Sequence, residues 1–231
     1  TTCPSWLSIS HTAGASTATL SGTPLDANVG ANSVVVQVED ATGATGTESF
    51  TITVANTNDA PAVSSTAVTS ATEDAAYSYS ITTSDDDSDS SDSWTITCTT
   101  CPSWLSISHT AGASTATLSG TPLNANVGDN SVVISVADAA SATGTQSFTI
   151  AVANTNDAPT ISSTAVTSAT EDTAYTYTVT TADDDSDVVT LTGTTVPSWL
   201  TFTASTGVLA GTPLNANVGA NSVVITASDS N

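Results

Sequence analysis

Short segments of this chain alternate apolar and polar residues with a period of two, and each is closed by Gly, Pro, Asn or Asp. Tyr77, Tyr79 and Ile81 share one face while Ser78, Ser80 and Thr82 share the other, and Phe148, Ile150 and Val152 alternate with Thr149 and Ala151 in the same way. That period is the mark of a half-buried β-strand. Strands are predicted over residues 62–69, 75–83, 93–98, 104–108, 115–119, 131–137 and 146–153, separated by turn residues. No stretch carries helical periodicity beyond a turn. Seven short strands at this spacing predict an all-β sandwich of immunoglobulin-like size.

The pattern also repeats. Cys-Pro-Ser-Trp-Leu-Ser-Ile-Ser-His begins at Cys3 and again at Cys101, 98 residues later, and Pro-Ser-Trp-Leu returns at Pro197. Asn-Thr-Asn-Asp-Ala-Pro begins at Asn56 and Asn154, and Asp-Asp-Asp-Ser-Asp at Asp85 and Asp183. A unit of about 98 residues is too long for a solenoid repeat and matches one sandwich. The expected organisation is the back part of one repeat over 1–59, a complete repeat over 60–157 and the front part of another over 158–231. The linker proline ends a ladder, and its Asn/Asp cluster favours a tight turn. With Thr at position 1, the chain is expected to be a stretch of a longer secreted polypeptide. The first and last repeats are then completed by adjoining copies or further chain.

Composition agrees with a folded β-protein, since 39% of residues are hydrophobic and Ser and Thr make up roughly a third. Charge changes the picture more. The chain has 22 Asp and Glu and no Lys or Arg, for a formal charge of -22. Without cationic side chains it offers no partner for nucleic-acid phosphates, no phosphate-loop lysine and no polybasic patch for anionic lipid. No apolar run reaches the roughly 18 residues of a membrane span, so this stretch is not expected to insert directly. Nine of the acidic residues lie in the two Asp-rich loops at 85–92 and 183–187. Like charges so close repel, and a hard divalent cation, bound by six to eight oxygens, relieves them most directly. The candidate oxygens are Asp85, Asp87 and Asp89 in the complete repeat and Asp183, Asp185 and Asp187 in the next. The alternative is a pair of solvated hairpin loops that keep the protein soluble.

The ordered set Glu-Asp-x-Ala-Tyr, Asp-x-Asp-x-Asp, Pro-Ser-Trp-Leu, Gly-Thr-Pro-Leu and Asn-Thr-Asn-Asp-Ala-Pro resembles the dystroglycan-type, cadherin-like tandem repeats of large bacterial and archaeal surface proteins. The resemblance covers the whole chain. It implies an all-β fold of tandem, extracellular immunoglobulin/cadherin-like Greek-key β-sandwiches that serve as spacers or adhesive modules, with calcium at the junctions between repeats. For the first junction it adds Asn58, Asp59 and Asp138 to the candidate ligands. For the second the implied set is Asn156, Asp157, Asp183, Asp185 and Asp229, with Glu73 in the place of the cadherin opening-strand glutamate. Where cadherins carry an acidic Leu-Asp-Arg-Glu motif, this chain has Gly-Thr-Pro-Leu followed by Asp or Asn. Fewer charged ligands imply one or two ions per junction.

Cys98 and Cys101 are absent together from the last repeat, which has Gly193 and Val196 there. Paired loss predicts that they bond to each other. Free thiols, or metal or redox chemistry, are the alternatives, although no helix follows as a thioredoxin-type motif requires. Trp6, Trp104 and Trp199, one per repeat, are read as plugs of the sandwich end or as sugar-stacking platforms, and Trp94 as core. His11 and His109 fall in a turn with no nucleophile repeating beside them, so no catalytic residue is assigned. The leading functional expectation is a structural surface array: a stalk, adhesin or filament stiffened by calcium and local disulfides. Its expected partners are neighbouring copies or adjoining repeats. The competing expectation is a module that binds glycans or surface proteins through its end loops.

Overall fold

The computed structural model describes residues 2–87 and 93–230. The first repeat contributes β1 (Leu7–His11), β2 (Ala18–Gly22), β3 (Gly30–Glu39) and β4 (Thr45–Val54). The complete repeat contributes β5 (Ala62–Val63), β6 (Ser70–Thr72), β7 (Tyr77–Ser84), β8 (Thr95–Thr100), β9 (Leu105–His109), β10 (Thr115–Gly120), β11 (Gly128–Ala137) and β12 (Thr143–Ala153). The third contributes β13 (Thr160–Ile161), β14 (Tyr175–Thr178), β15 (Thr181–Ala182), β16 (Thr190–Thr195), β17 (Leu200–Thr203), β18 (Val208–Gly211) and β19 (Val224–Ser228). Among the described residues the only helical segments are single 3-10 turns at Asp26–Asn28, Asn124–Asn126 and Asn215–Asn217. In each, an asparagine side chain (Asn28, Asn126, Asn217) accepts the backbone N–H of the leucine three residues before it, at 2.9 Å.

In the complete repeat a sheet of order β5-β7-β10-β9 lies against a sheet of order β6-β12-β11-β8. The core between them is the apolar face of the alternating pattern: Tyr77, Tyr79 and Ile81 from β7, Leu118 from β10, Val132, Ile134 and Val136 from β11, and Ile150 and Val152 from β12. Full burial of one such side chain is worth about 1.5–3 kcal/mol, so this shared face stabilises the sandwich. Trp104 and Phe148 pack on its margin. Their rings meet Tyr77 and Tyr79 edge-on, at 5.6 and 5.8 Å. In all three repeats the glycine of Gly-Thr-Pro-Leu passes against the tryptophan carbonyl. A Cβ on Gly22, Gly120 or Gly211 would run into the carbonyl oxygen of Trp6, Trp104 or Trp199.

The single strand expected over 62–69 is two strands in different sheets. Val63 pairs with Thr83 of β7, and the chain then crosses to the other sheet, where Thr69 accepts the N–H of Ala151 at 3.0 Å. Two tyrosines hold the crossing: the Tyr79 hydroxyl donates to the Ser65 carbonyl at 3.1 Å and the Tyr77 hydroxyl to Val68 at 2.8 Å. Burial pushes the Tyr77 phenol up to about 12, with the neighbouring Tyr79 adding to it. The closing hairpin is longer than its alternating part, because β11 and β12 pair from Gly128↔Val152 to Ala137↔Thr143. The polar strand ends keep the ladder although none of them belongs to the buried core.

The described residues form two compact units. One holds Thr1–Ala71, Ala75–Pro122 and Gly128–Val152; the other holds Thr72–Asp74, Leu123–Val127 and Ala153–Asn231. In the second unit β14-β18-β17 form one sheet and β16-β19 another, with Val179, Leu200 and Leu209 buried.

Candidate cation sites in the acidic loops

In the first unit the linker is laced to the Asp-rich loop. Asp87 accepts the Asn56 amide at 2.9 Å through one oxygen and the Asp59 N–H at 3.0 Å through the other. Asp85 accepts the Asp87 N–H at 3.1 Å through Oδ1. Its Oδ2 is buried and has no hydrogen-bond partner among the described residues. Asn58 donates to Asp138 at 2.9 Å, and Asp138, 6% exposed, also accepts the Ala142 N–H at 2.9 Å. The candidates Asn58, Asp59, Asp85, Asp87 and Asp138 are therefore drawn into two connected groups, Asp85 with Asp87 and Asp59, and Asn58 with Asp138. Asp89 lies outside the described residues.

The second unit repeats this lacing. Asp185 accepts the Asn154 amide at 2.8 Å and the Asp157 N–H at 2.6 Å, while Asp183 accepts the Asp187 N–H at 3.0 Å. Ser186, at φ 63°, makes the left-handed step that turns the loop back on itself. One carboxylate oxygen from each of Asp183, Asp185 and Asp187 lies within 4.8 Å of the others. Asp183 Oδ2, like Asp85 Oδ2, is buried without a hydrogen-bond partner among the described residues. A second trio, Glu73, Asp74 and Asp157, meets the same 4.8 Å limit. Glu73 is 2% exposed and accepts the Thr155 N–H at 3.1 Å. Asn156 donates to Asp229 at 3.2 Å. The set implied by resemblance thus falls into two connected groups: Asp157 lies beside Glu73 and is bonded to Asp185, which sits with Asp183 and Asp187, while Asn156 lies beside Asp229.

Charge crowding is visible in the carboxyl groups themselves. Asp59 is held above the ordinary carboxylate range, first by Asp26, then by burial and by Asp87, Asp86 and Asp85. Burial raises Asp157, with Asp74, Asp185, Asp184 and Asp183 adding to it. Asp138 is held below that range, chiefly by the Asn58 amide and then by backbone N–H donors of its turn.

Several of these residues were not singled out from the sequence. Asp74 is one, and its left-handed backbone (φ 58°) recurs at Asp172, so the paired acids of Glu-Asp-x-Ala-Tyr carried the signal. Asn56 and Asn154 open the linker motif and clamp the middle aspartate of each loop. Asp26 and Asn124 occupy one place in Gly-Thr-Pro-Leu-Asp/Asn, and Asn124 donates to the Asp184 carbonyl.

Cys98 and Cys101 form a disulfide with Cα atoms 5.7 Å apart, and Cys3 is free. The tryptophan edges are used within the fold: Trp6, Trp104 and Trp199 donate to Asn32, Asn130 and Asn221 at 3.0–3.1 Å. His109 places its two ring nitrogens 3.0 and 3.1 Å from the Trp94 and Thr115 carbonyls, a turn-bracing role. No helix among the described residues is long and apolar enough to cross a membrane.

No curated protein matches the chain. Among solved structures, the extracellular cadherin domains 1–5 of protocadherin gamma B2 align over 92% of this chain and 45% of their own, at 15% identity and TM-score 0.58. The protocadherin gamma B4 extracellular domain aligns over 97% and 41%, at 18% identity and TM-score 0.54. An endo-fucoidan hydrolase of glycoside hydrolase family 107 aligns over 100% and 36%, at 29% identity and TM-score 0.42. The chain thus spans less than half the length of each of these proteins. The family model described as "Putative Ig domain" matches three times in succession, over residues 1–55, 60–153 and 158–231, and the chain belongs to that family as a tandem array of cadherin-like β-sandwiches.

Proposed function

We propose that this chain is a stretch of an extracellular structural array, a stalk, adhesin or filament of the cell surface, whose successive repeats are held by calcium at their acidic linkers. The repeats run over 1–59, 60–157 and 158–231. The observation that carries the proposal is the buried Oδ2 of Asp183, with its counterpart at Asp85, neither with a hydrogen-bond partner among the described residues, in a loop where three carboxylates converge. A buried carboxylate oxygen without a donor costs on the order of 1–3 kcal/mol or more, and this chain has no Lys or Arg to supply one. An all-oxygen donor set of carboxylates and amide carbonyls suits a hard cation. Asp183, Asp185 and Asp187 would hold it in the second unit, and Asp85 and Asp87 in the first, with Glu73, Asp74 and Asp157 as a further candidate group. Calcium bound there supplies positive charge that offsets the crowding. The Cys98–Cys101 bond adds local stiffness and fits an oxidising, extracellular setting. The indole edges already serve the fold, so no observation favours the tryptophans as a sugar platform.

Calorimetric titration of the chelated protein with calcium tests the proposal. Saturable heat is expected, with a rise in melting temperature that reflects about 2.7 kcal/mol at a hundredfold excess over Kd. Asp183→Asn should remove a large part of both. Melting and heat that ignore calcium would overturn the proposal.

A further inference from the structure

The Cys98–Cys101 bond joins residues three positions apart where β8 ends. Its two ends differ in access, because Cys101 is exposed whereas Cys98 is half-buried and packs against the core. The third repeat shows how this stretch is held without the bond. β8 bulges against β11 between Val133 and Ile134, and β16 bulges against β19 between Gly193 and Thr195. In each bulge the extra residue is a threonine whose hydroxyl donates to a carbonyl of the facing strand, Thr99 to Val133 at 3.3 Å and Thr194 to Val224 at 3.4 Å. The turn that follows is also shared. Its N–H of Leu105 donates to the Pro102 carbonyl at 3.0 Å, and that of Leu200 to Pro197 at 2.9 Å. Bulge and turn are therefore held by hydrogen bonds that need no disulfide. We infer that Cys98–Cys101 is a reversible thiol-exchange site, opened at Cys101 and resealed by Cys98, and that it takes positively charged thiols in preference to anionic ones.

A disulfide stabilises a fold least when the loop it closes is short, so little of the second repeat's stability opposes opening. An incoming thiolate attacks the sulfur of Cys101, the more accessible residue of the pair. The guest sulfur becomes bonded to Cys101, the Cys98–Cys101 bond breaks, and Cys98 leaves with the electron pair and takes up a proton. The reverse step needs no added reagent. Cys98, held beside the bulge, attacks Cys101 again and expels the guest as its thiolate. Each exchange trades one S–S bond for another, so no oxidant is consumed. In the third repeat the same place is filled without this chemistry: a Cβ on Gly193 would come 2.7 Å from Val196 Cγ2, so the valine side chain occupies the space over the glycine. That contact is inert, whereas the second repeat keeps a bond that opens. Selectivity follows from charge. With 22 acidic residues and no Lys or Arg, the field of the protein attracts cations and repels anions.

The test uses the folded 231-residue protein with Cys3→Ser, so that Cys98 and Cys101 supply its only sulfur atoms. Cysteamine, mercaptoethanol and mercaptoacetate are the cationic, neutral and anionic probes, and an end-blocked peptide with one cysteine between two lysines separates a polypeptide source from a free small thiol. Acid quenching, alkylation of the released thiol and the masses of peptic fragments locate the guest. It is expected on Cys101, with Cys98 alkylated, by about tenfold over the reverse, while amide protection of Ile134 and Val136 is kept. Rates per thiolate, relative to those on an uncharged small disulfide, should fall roughly threefold or more from cysteamine to mercaptoacetate, and the spread should shrink in about 1 M salt. With Cys98→Ser a captured guest should stay on Cys101, because nothing reseals the bond. Opening only at the rate of global unfolding, or capture on Cys98 as readily as on Cys101, would overturn the site. Rates indifferent to charge would overturn the selectivity. The inference does not rest on calcium, and the same outcome is expected in chelator, so a failed calcium titration leaves it standing.

Discussion

The second and third repeats share most of their residues, yet their cores differ in closure. Val132 and Val223 stand at the same place in Asn-Ser-Val-Val, but Val132 is 1% exposed and Val223 is 37% exposed. Val34, the third instance of that motif, is fully buried in the first repeat, where β4 accompanies β3. The difference follows the presence of the strand paired beside it. One strand in a sandwich seals a core that the others only outline, because each inward side chain needs apolar neighbours from the strand beside it and from the sheet opposite.

The largest effect expected from this difference concerns core truncation. Ile134→Ala, at a fully buried position, should cost about 3–4 kcal/mol, whereas Ile225→Ala on the less covered β19 should cost about 1. Urea unfolding followed by amide exchange in each repeat measures both. Equal losses would show that burial at β19 is as complete as at β11 and would erase the comparison.

Next in size is the disulfide. Reducing Cys98–Cys101, which closes a short loop, should destabilise the second repeat by about 2 kcal/mol on the chain-entropy model. The third repeat has Gly193 and Val196 at those places and should keep its exchange rates unchanged under reductant.

The smallest effect is pH dependence in chelator. Asp59 and Asp157 have folded values raised above the usual 3.8, so they bind protons more tightly folded than unfolded. Their crowding therefore opposes folding at neutral pH and is relieved as pH falls through the raised folded values. Asp138 has a lowered folded value, so its contribution is present above the ordinary range and is lost on further acidification. Thermal melts should show a shallow stability maximum on the acid side of neutrality. Asp26 is the first cause of the Asp59 shift, and the second repeat has Asn124 at Asp26's place. Asp26→Asn should flatten the rise that Asp59 contributes and leave that of Asp157 in place.

Much of the fold was legible because its signal is local. Tyr77, Tyr79 and Ile81 alternate with serine and threonine, and that alternation marks a strand without reference to any partner. The crossing between Val63 and Ser70 was not legible, since it depends on Tyr77 and Tyr79 reaching back to the Val68 and Ser65 carbonyls. Similarly, repetition marked the Asp-rich loops and linker motifs as belonging together. It did not reveal that Asn56 and Asn154 hold the middle aspartates, or that Asp74 joins Glu73 and Asp157, because those pairings rest on a left-handed turn and on hydrogen bonds between distant segments.

The sequence by itself determined the repeat length, the strand periodicity, the uncompensated acidity and the pairing of two cysteines. All four depend on residue identity and spacing along one chain. Only the tertiary structure decided which carboxylates converge and which oxygens are buried without a donor among the described residues. Those outcomes depend on where distant segments meet in space, and near-identical repeats differ there according to the neighbours each one has.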